Sequence, residues 1–196
     1  MTLPPVVRVF FAIDLPPTTK ELLGKYISAI KKRSKSNAIR WTKPENLHIT
    51  LHFLAEVQSE HLEKLVENVR TEMASSFGKL SIRLESLKLF PNPYRPRVIV
   101  LDVSPQDQLA ALAAHIGRGI QATNYAVEER PFRAHLTLGR IKHPHGLNLG
   151  FLLEFPNPGV DHLEVDEVVL FRSEPQPEGS CYSVIEKLAL STGFIA

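Results

Sequence analysis

A chain of 196 residues, 43% of them hydrophobic, can bury a substantial core in one domain or in two closely joined lobes. Its 23 Lys and Arg against 21 Asp and Glu leave a net charge of +2. That balance accommodates an anionic ligand but lacks the basic bias of a protein that coats long duplex nucleic acid. The single cysteine, Cys181, excludes an internal disulfide framework and a multi-cysteine metal site, and within its β-like run it reads as a buried structural thiol. The segment from Met1 to Asp14 is apolar but short, and Pro4, Pro5 and Arg8 interrupt it. It therefore reads as neither a signal peptide nor a membrane span, and the expected compartment is the cytoplasm.

Val6 to Asp14 is rich in β-branched and aromatic residues and reads as a buried strand. Pro16 and Pro17 end it, and Thr18 and Thr19 are suited to cap a helix running to about Lys35, with Leu22, Leu23, Tyr26, Ile27 and Ile30 on one face. The run Lys31-Lys32-Arg33 complements the negative end of that helix. Ile39-Arg40-Trp41 is a short extended piece, followed by a turn at Lys43 to Asn46. A strand from Asn46 to Leu54 comes next, and then a helix from Ser59 to about Phe77. Leu80 to Phe90 alternates as a strand, Pro91-Asn92-Pro93 turns, and Arg97 to Val103 is a strongly apolar strand. Pro105 to about Thr123 has helical spacing, and a strand from Phe132 to Arg140 follows it. Lys142 to Gly159, rich in Gly, Pro and Asn, is expected to be the mobile loop. Two strands, Asp161–Arg172 and Cys181–Leu190, close the chain.

Two of these strands carry the same signature. His48-Ile49-Thr50-Leu51 and His135-Leu136-Thr137-Leu138 each alternate polar and aliphatic residues. On a strand, residues two apart share a face, so each segment presents one imidazole and one hydroxyl together. Strand, helix and His-x-Thr strand recur in that order. From Val7 to His48 is 41 positions, and from Arg97 to His135 is 38. The repeat predicts two like lobes related by a pseudo-two-fold axis, their polar strands facing across a cleft.

Two imidazoles that titrate near neutrality suit paired general acid and base catalysis. One would take a proton from water or a hydroxyl, and the other would give one to the departing oxygen. Two threonine hydroxyls can donate to non-bridging phosphoryl oxygens. Asp and Glu near the motifs form no spaced cluster for magnesium, so no metal or other cofactor is expected. Two other readings stay open at this level. The histidines could be structural, or His48 and His52, expected on one face, could join His135 as zinc ligands. His61, His115, His143, His145 and His162 are assigned to solvent.

At these residues the sequence resembles the two-histidine phosphoesterase superfamily, and within it the RNA 2′,3′-cyclic phosphodiesterases, also called 2′–5′ RNA ligase-like proteins. The resemblance runs through Arg8 to Pro16, Arg40 to Leu51, Arg95 to Val98, Pro131 to Arg140, and Leu170 to Ser173 leading to Gly179 to Tyr182. It implies an α+β, bilobed fold: two pseudo-two-fold-related antiparallel-sheet lobes with outer helices around a central groove, forming one two-lobed domain over residues 1–196. It further implies hydrolysis of a terminal RNA 2′,3′-cyclic phosphate to a 2′-phosphate. His48 would be the proton donor and His135 the acceptor, with Thr50 and Thr137 holding the phosphate. Arg140 matches an arginine often found three places after the second Thr. Its alternation parity sets it opposite His135, so it would reach the phosphate only across a bulge or twist. Ala134 departs from the usual proline there. The implied partners are RNA ends bearing a cyclic phosphate or small cyclic nucleotides, with no membrane and a monomeric state. End-joining at the same site and a non-catalytic RNA-end or nucleotide-binding module are the alternative readings.

Overall fold

The computed structural model describes residues 3–34, 36–74, 78–142, 149–177 and 179–190. Its strands are β1 (Val6–Asp14), β2 (Ile39–Trp41), β3 (His48–Gln58), β4 (Leu80–Phe90), β5 (Val98–Ser104), β6 (His135–Ile141), β7 (Leu163–Val165), β8 (Glu167–Glu174) and β9 (Cys181–Ala189). The helices are α1 (Pro17–Ser34), α2 (Leu62–Ala74) and α3 (Gln106–Gln121). Every ladder is antiparallel, and the sheet runs β7-β4-β5-β6-β3-β1-β8-β9, with β2 added beside β6.

The sheet divides into two halves built alike. In one, β3 pairs with β1 and β1 with β8; in the other, β6 pairs with β5 and β5 with β4. One rung, Ile49 opposite Leu136, joins them. Beyond it the motif strands part, and Thr42 takes the place beside β6. Thr42 donates through its backbone N–H to the Leu138 carbonyl and through its hydroxyl to the Thr137 carbonyl, both at 2.9 Å. Two diverging strands leave a groove between the halves.

From Val9 to Ile13, β1 is apolar and buried on both faces. Val9, Phe11 and Ile13 enter the main core, while Phe10 and Ala12 join a smaller cluster with Val169 and Phe171 on the groove side. Helices α2 and α3 pack together at unusually short range. A Cβ at Gly119 would stand 2.6 Å from the Val69 Cα, so only glycine allows that approach. Leu23, Ile27 and Ile30 anchor α1, whereas Leu22, expected on the same face, is 39% exposed. Lys31, Lys32 and Arg33 are exposed, with Arg33 lying over the Phe151 ring.

Three expected elements change. The segment expected as one strand over Asp161–Arg172 is two, β7 on β4 and β8 on β1, separated only by Asp166. From Leu149 onward the expected mobile loop is anchored by Leu149 and Leu152 in the core; positions 143–148, with His143 and His145, lie outside the described residues. The helix expected from Ser59 opens instead with a 3-10 turn, Ser59–His61, and α2 begins at Leu62.

Candidate active site

The geometry of the groove is set by strand parity and two interruptions of it. Ile49, Leu51, Leu136 and Leu138 are buried, so His48, Thr50, His135 and Thr137 all project to the opposite, groove-facing side. Across an antiparallel rung such as Ile49–Leu136, diagonal neighbours lie about 7–8 Å apart at Cα, which brings the two His-x-Thr pairs together.

Each motif is followed at once by a bulge. Along β3 the partners of β1 jump from Thr50 to His52, leaving Leu51 as the extra residue. Along β6 the partners of β5 jump from Thr137 to Gly139, leaving Leu138 as the extra residue. A bulge inverts the parity of the residues beyond it. His52 is therefore not on the face of His48 and Thr50. It points to α3, where its Nε2–H donates to the Ala113 carbonyl at 2.7 Å, and Gly117 leaves room for the ring. That removes it from a shared zinc site with His48. Arg140 turns the other way, into the groove, where it lines a cavity of about 340 Å³ with Arg8, His48, Thr50, Phe53 and Thr137. His135 stands outside that lining, half-buried on the same face of β6.

Both imidazoles are held in one manner. The Nδ1–H of His48 donates to the Asn46 carbonyl at 2.8 Å, and that of His135 donates to the Arg133 carbonyl, also at 2.8 Å. This tautomer leaves each Nε2 as the reactive nitrogen. The Thr50 hydroxyl donates to His48 Nε2 at 3.0 Å. Each histidine also faces an aspartate across its ladder, Asp14 for His48 and Asp102 for His135. Those carboxylates are paired in turn, Asp14 with Lys20 at 2.6 Å and Asp102 with Arg133 at 3.1 Å.

The surroundings of the two rings differ. His48 sits among Phe10, Tyr182 and Phe171, with ring centroids at 4.7, 5.3 and 6.4 Å. Burial among them pushes its pKa below the ordinary imidazole value, against smaller opposing effects of the Asn46 carbonyl and Asp14. Among the described residues, the ring against His135 is Phe90, stacked at 5.7 Å and 21°. None of Phe10, Phe171, Asp14 and Asp102 stood out in the sequence, because three different ladders bring them to the motifs.

Cys181, expected to be buried, is exposed at the start of the edge strand β9 and lines a cavity of about 490 Å³ beside His48. Of the histidines assigned to solvent, His162 and His61 are exposed, His61 with its Nδ1 2.8 Å from the Tyr125 hydroxyl, and His115 is half-buried with its Nδ1 3.1 Å from the Glu72 carbonyl. Among the described residues, no three His, Cys, Asp or Glu gather as a metal site, and no helix is long and apolar enough to cross a membrane.

Comparison with known proteins identifies the relatives of this chain. An RNA 2′,3′-cyclic phosphodiesterase of Archaeoglobus fulgidus is 30% identical over 176 residues, covering 90% of this chain and 96% of that one. One of Methanothermobacter thermautotrophicus is 31% identical over 186 residues, covering 94% and 99%. Among solved structures, E. coli LigT complexed with 3′-AMP superposes with a TM-score of 0.75 at 25% identity, covering 95% of this chain and 99% of that one. The family model of LigT-like phosphoesterases matches residues 13–100 and again 101–182, so that each match carries one His-x-Thr strand. With two such strands meeting at one rung and their polar side chains turned to a common groove, the chain belongs to the LigT-like phosphoesterase family.

Proposed function

We propose that this chain hydrolyses the terminal 2′,3′-cyclic phosphate of RNA to a 2′-phosphate. The observation that carries the reading is the common face of His48, Thr50, His135, Thr137 and Arg140, produced by strand parity and the Leu138 bulge. The names of the relatives point the same way.

In this reading the cyclic phosphate sits over the rung between β3 and β6. His135 Nε2, its lone pair kept free by the bond to the Arg133 carbonyl, accepts a proton from water as the water attacks phosphorus. His48 Nε2–H gives its proton to the 3′-oxygen as the P–O3′ bond breaks, and the phosphate remains on O2′. Thr50 and Thr137 hydroxyls donate to the non-bridging oxygens, and the Arg140 guanidinium balances their charge. His48 is neutral in the free protein at neutral pH because burial disfavours its imidazolium. The bound phosphate anion supplies the countercharge that lets it carry the proton. All the acid, base and charge-stabilising groups this chemistry needs are side chains of the chain itself.

The test is hydrolysis of a 2′,3′-cyclic mononucleotide and of an oligoribonucleotide ending in a cyclic phosphate. His48→Ala and His135→Ala should each abolish turnover with the unfolding midpoint preserved, the rate of the unaltered protein should be bell-shaped in pH, and a chelator should leave it unchanged. Full activity in either variant would overturn the reading. Appearance of 2′–5′-joined product in place of the 2′-phosphate would replace hydrolysis with end-joining.

A further inference from the structure

The β2–β6 ladder sets Arg40 directly opposite Arg140. Like charges in directly opposed cross-strand positions repel. Neither arginine has a carboxylate partner among the ion pairs of the described residues, and neither does Lys43. All three line one small cavity of about 120 Å³, together with Thr42, Asn46 and Tyr182. No described acidic residue lines it. Its frame is close-packed: a Cβ at Gly139 would stand 3.0 Å from both Trp41 and Ile39, so β2 lies tight against β6. Arg140 belongs to this cavity and also to the one that holds His48, Thr50 and Thr137, so the two are neighbours across a single side chain.

Three cations with no carboxylate partner among the described residues, around a hollow that no described acidic residue lines, are arranged to take an anion between them. We propose that the Arg40–Lys43–Arg140 cavity is a second phosphate site, which takes the backbone phosphate on the 5′ side of the terminal nucleoside while the cyclic phosphate lies at the His-x-Thr pairs. This rests on the functional reading above. The protein then recognises an RNA strand by two consecutive phosphates, and a lone cyclic nucleoside monophosphate fills only one of the two positions. Arg40 and Lys43 touch neither the reacting phosphorus nor the groups that move protons; they set affinity for the chain.

The experiment compares Arg40→Gln and the double variant Arg40→Gln/Lys43→Gln with the unaltered protein on two substrates. One is 2′,3′-cyclic AMP, which has no 5′-phosphate; the other is a short oligoribonucleotide ending in a 2′,3′-cyclic phosphate. On the mononucleotide, kcat/KM should stay within about two-fold, since only phosphate contacts remote from the reaction are removed. On the oligonucleotide it should fall about ten- to hundred-fold, mostly through KM, as expected for loss of a charge-assisted contact. The dependence of log KM on log salt for the oligonucleotide should flatten by about 0.7 per cation removed. The thermal midpoint of Arg40→Gln should be unchanged or higher, because the opposed arginine pair is relieved. Equal losses on both substrates, or an unaltered oligonucleotide KM in the double variant, would overturn the proposal. If the unaltered protein turns over neither substrate, the functional reading fails by itself. The second site is then judged by binding of a fluorescent oligonucleotide ending in a 3′-phosphate against that of 3′-AMP. Loss of the oligonucleotide's advantage in the double variant supports the site, and its retention refutes it.

Discussion

Replacing Phe10 by leucine separates the aromatic wall from the rest of the groove. Phe10 is 3% exposed, with ring centroids 5.2 Å from Phe171 and 4.9 Å from Tyr182, and it lies 4.7 Å from the His48 ring. Leucine keeps most of the buried apolar area but forfeits two ring pairs, each worth about 0.5–1.5 kcal/mol beyond area. The expected loss is near 2 kcal/mol, which at this chain length lowers the thermal midpoint by about 4–8 °C. Alanine would cost about 3–5 kcal/mol, a large part of the stability of an ordinary domain, so leucine is the informative change. With the ring gone, water reaches His48 and its pKa climbs back toward about 6.5. Thermal unfolding followed by circular dichroism reads the first effect, and NMR titration of the imidazole reads the second. A lowered midpoint with His48 titrating as before would refute the claim that these rings desolvate it.

Two further outcomes are expected from the same structure. His48 and His52 both have pKa values lowered by burial, so near and below pH 6.5 the unfolded chain binds more protons than the folded one. Stability contributed by the neutral rings is thus present above about pH 6.5 and lost as the pH falls toward their folded values; urea midpoints at pH 7.5, 6.5 and 5.5 should decline in that order, and a rise toward acid would contradict this. Arg140→Gln should lower kcat/KM on a cyclic mononucleotide about ten- to hundred-fold with the fold intact, because it removes a charge-assisted contact to the phosphate. Unchanged kinetics would place Arg140 outside the reaction.

The strands bearing the motifs, their helices and the repeat were legible because alternation and helical spacing are written in residue types. The bulges were not. Leu51 and Leu138 are apolar residues at positions where alternation expects apolar residues, so nothing in their chemistry marks them as extra. Only the ladder with β1 or β5 exposes the slip. That hidden step moves His52 off the face expected for it, and at Leu138 it is the bulge on which the reach of Arg140 into the groove was conditional. The break at Asp166 was hidden likewise, since apolar residues continue on either side while the pairing partner changes from β4 to β1. Cys181 looked interior by composition, yet β9 is the last strand of the sheet and leaves it open to solvent. The wall around His48 gathers Phe10, Phe171 and Tyr182 from β1, β8 and β9, an adjacency set by strand order alone.

Asp166 has a mechanical consequence. It alone separates β7, at one extremity of the sheet, from β8, next to the other extremity. The ribbon of strands is therefore bent round until its two ends are fastened by a single link, like a bracelet with its clasp shut. Prising the walls apart would first strip β7 or β8 from its ladder, so whatever enters meets a notch whose gauge is preset by the covalent chain.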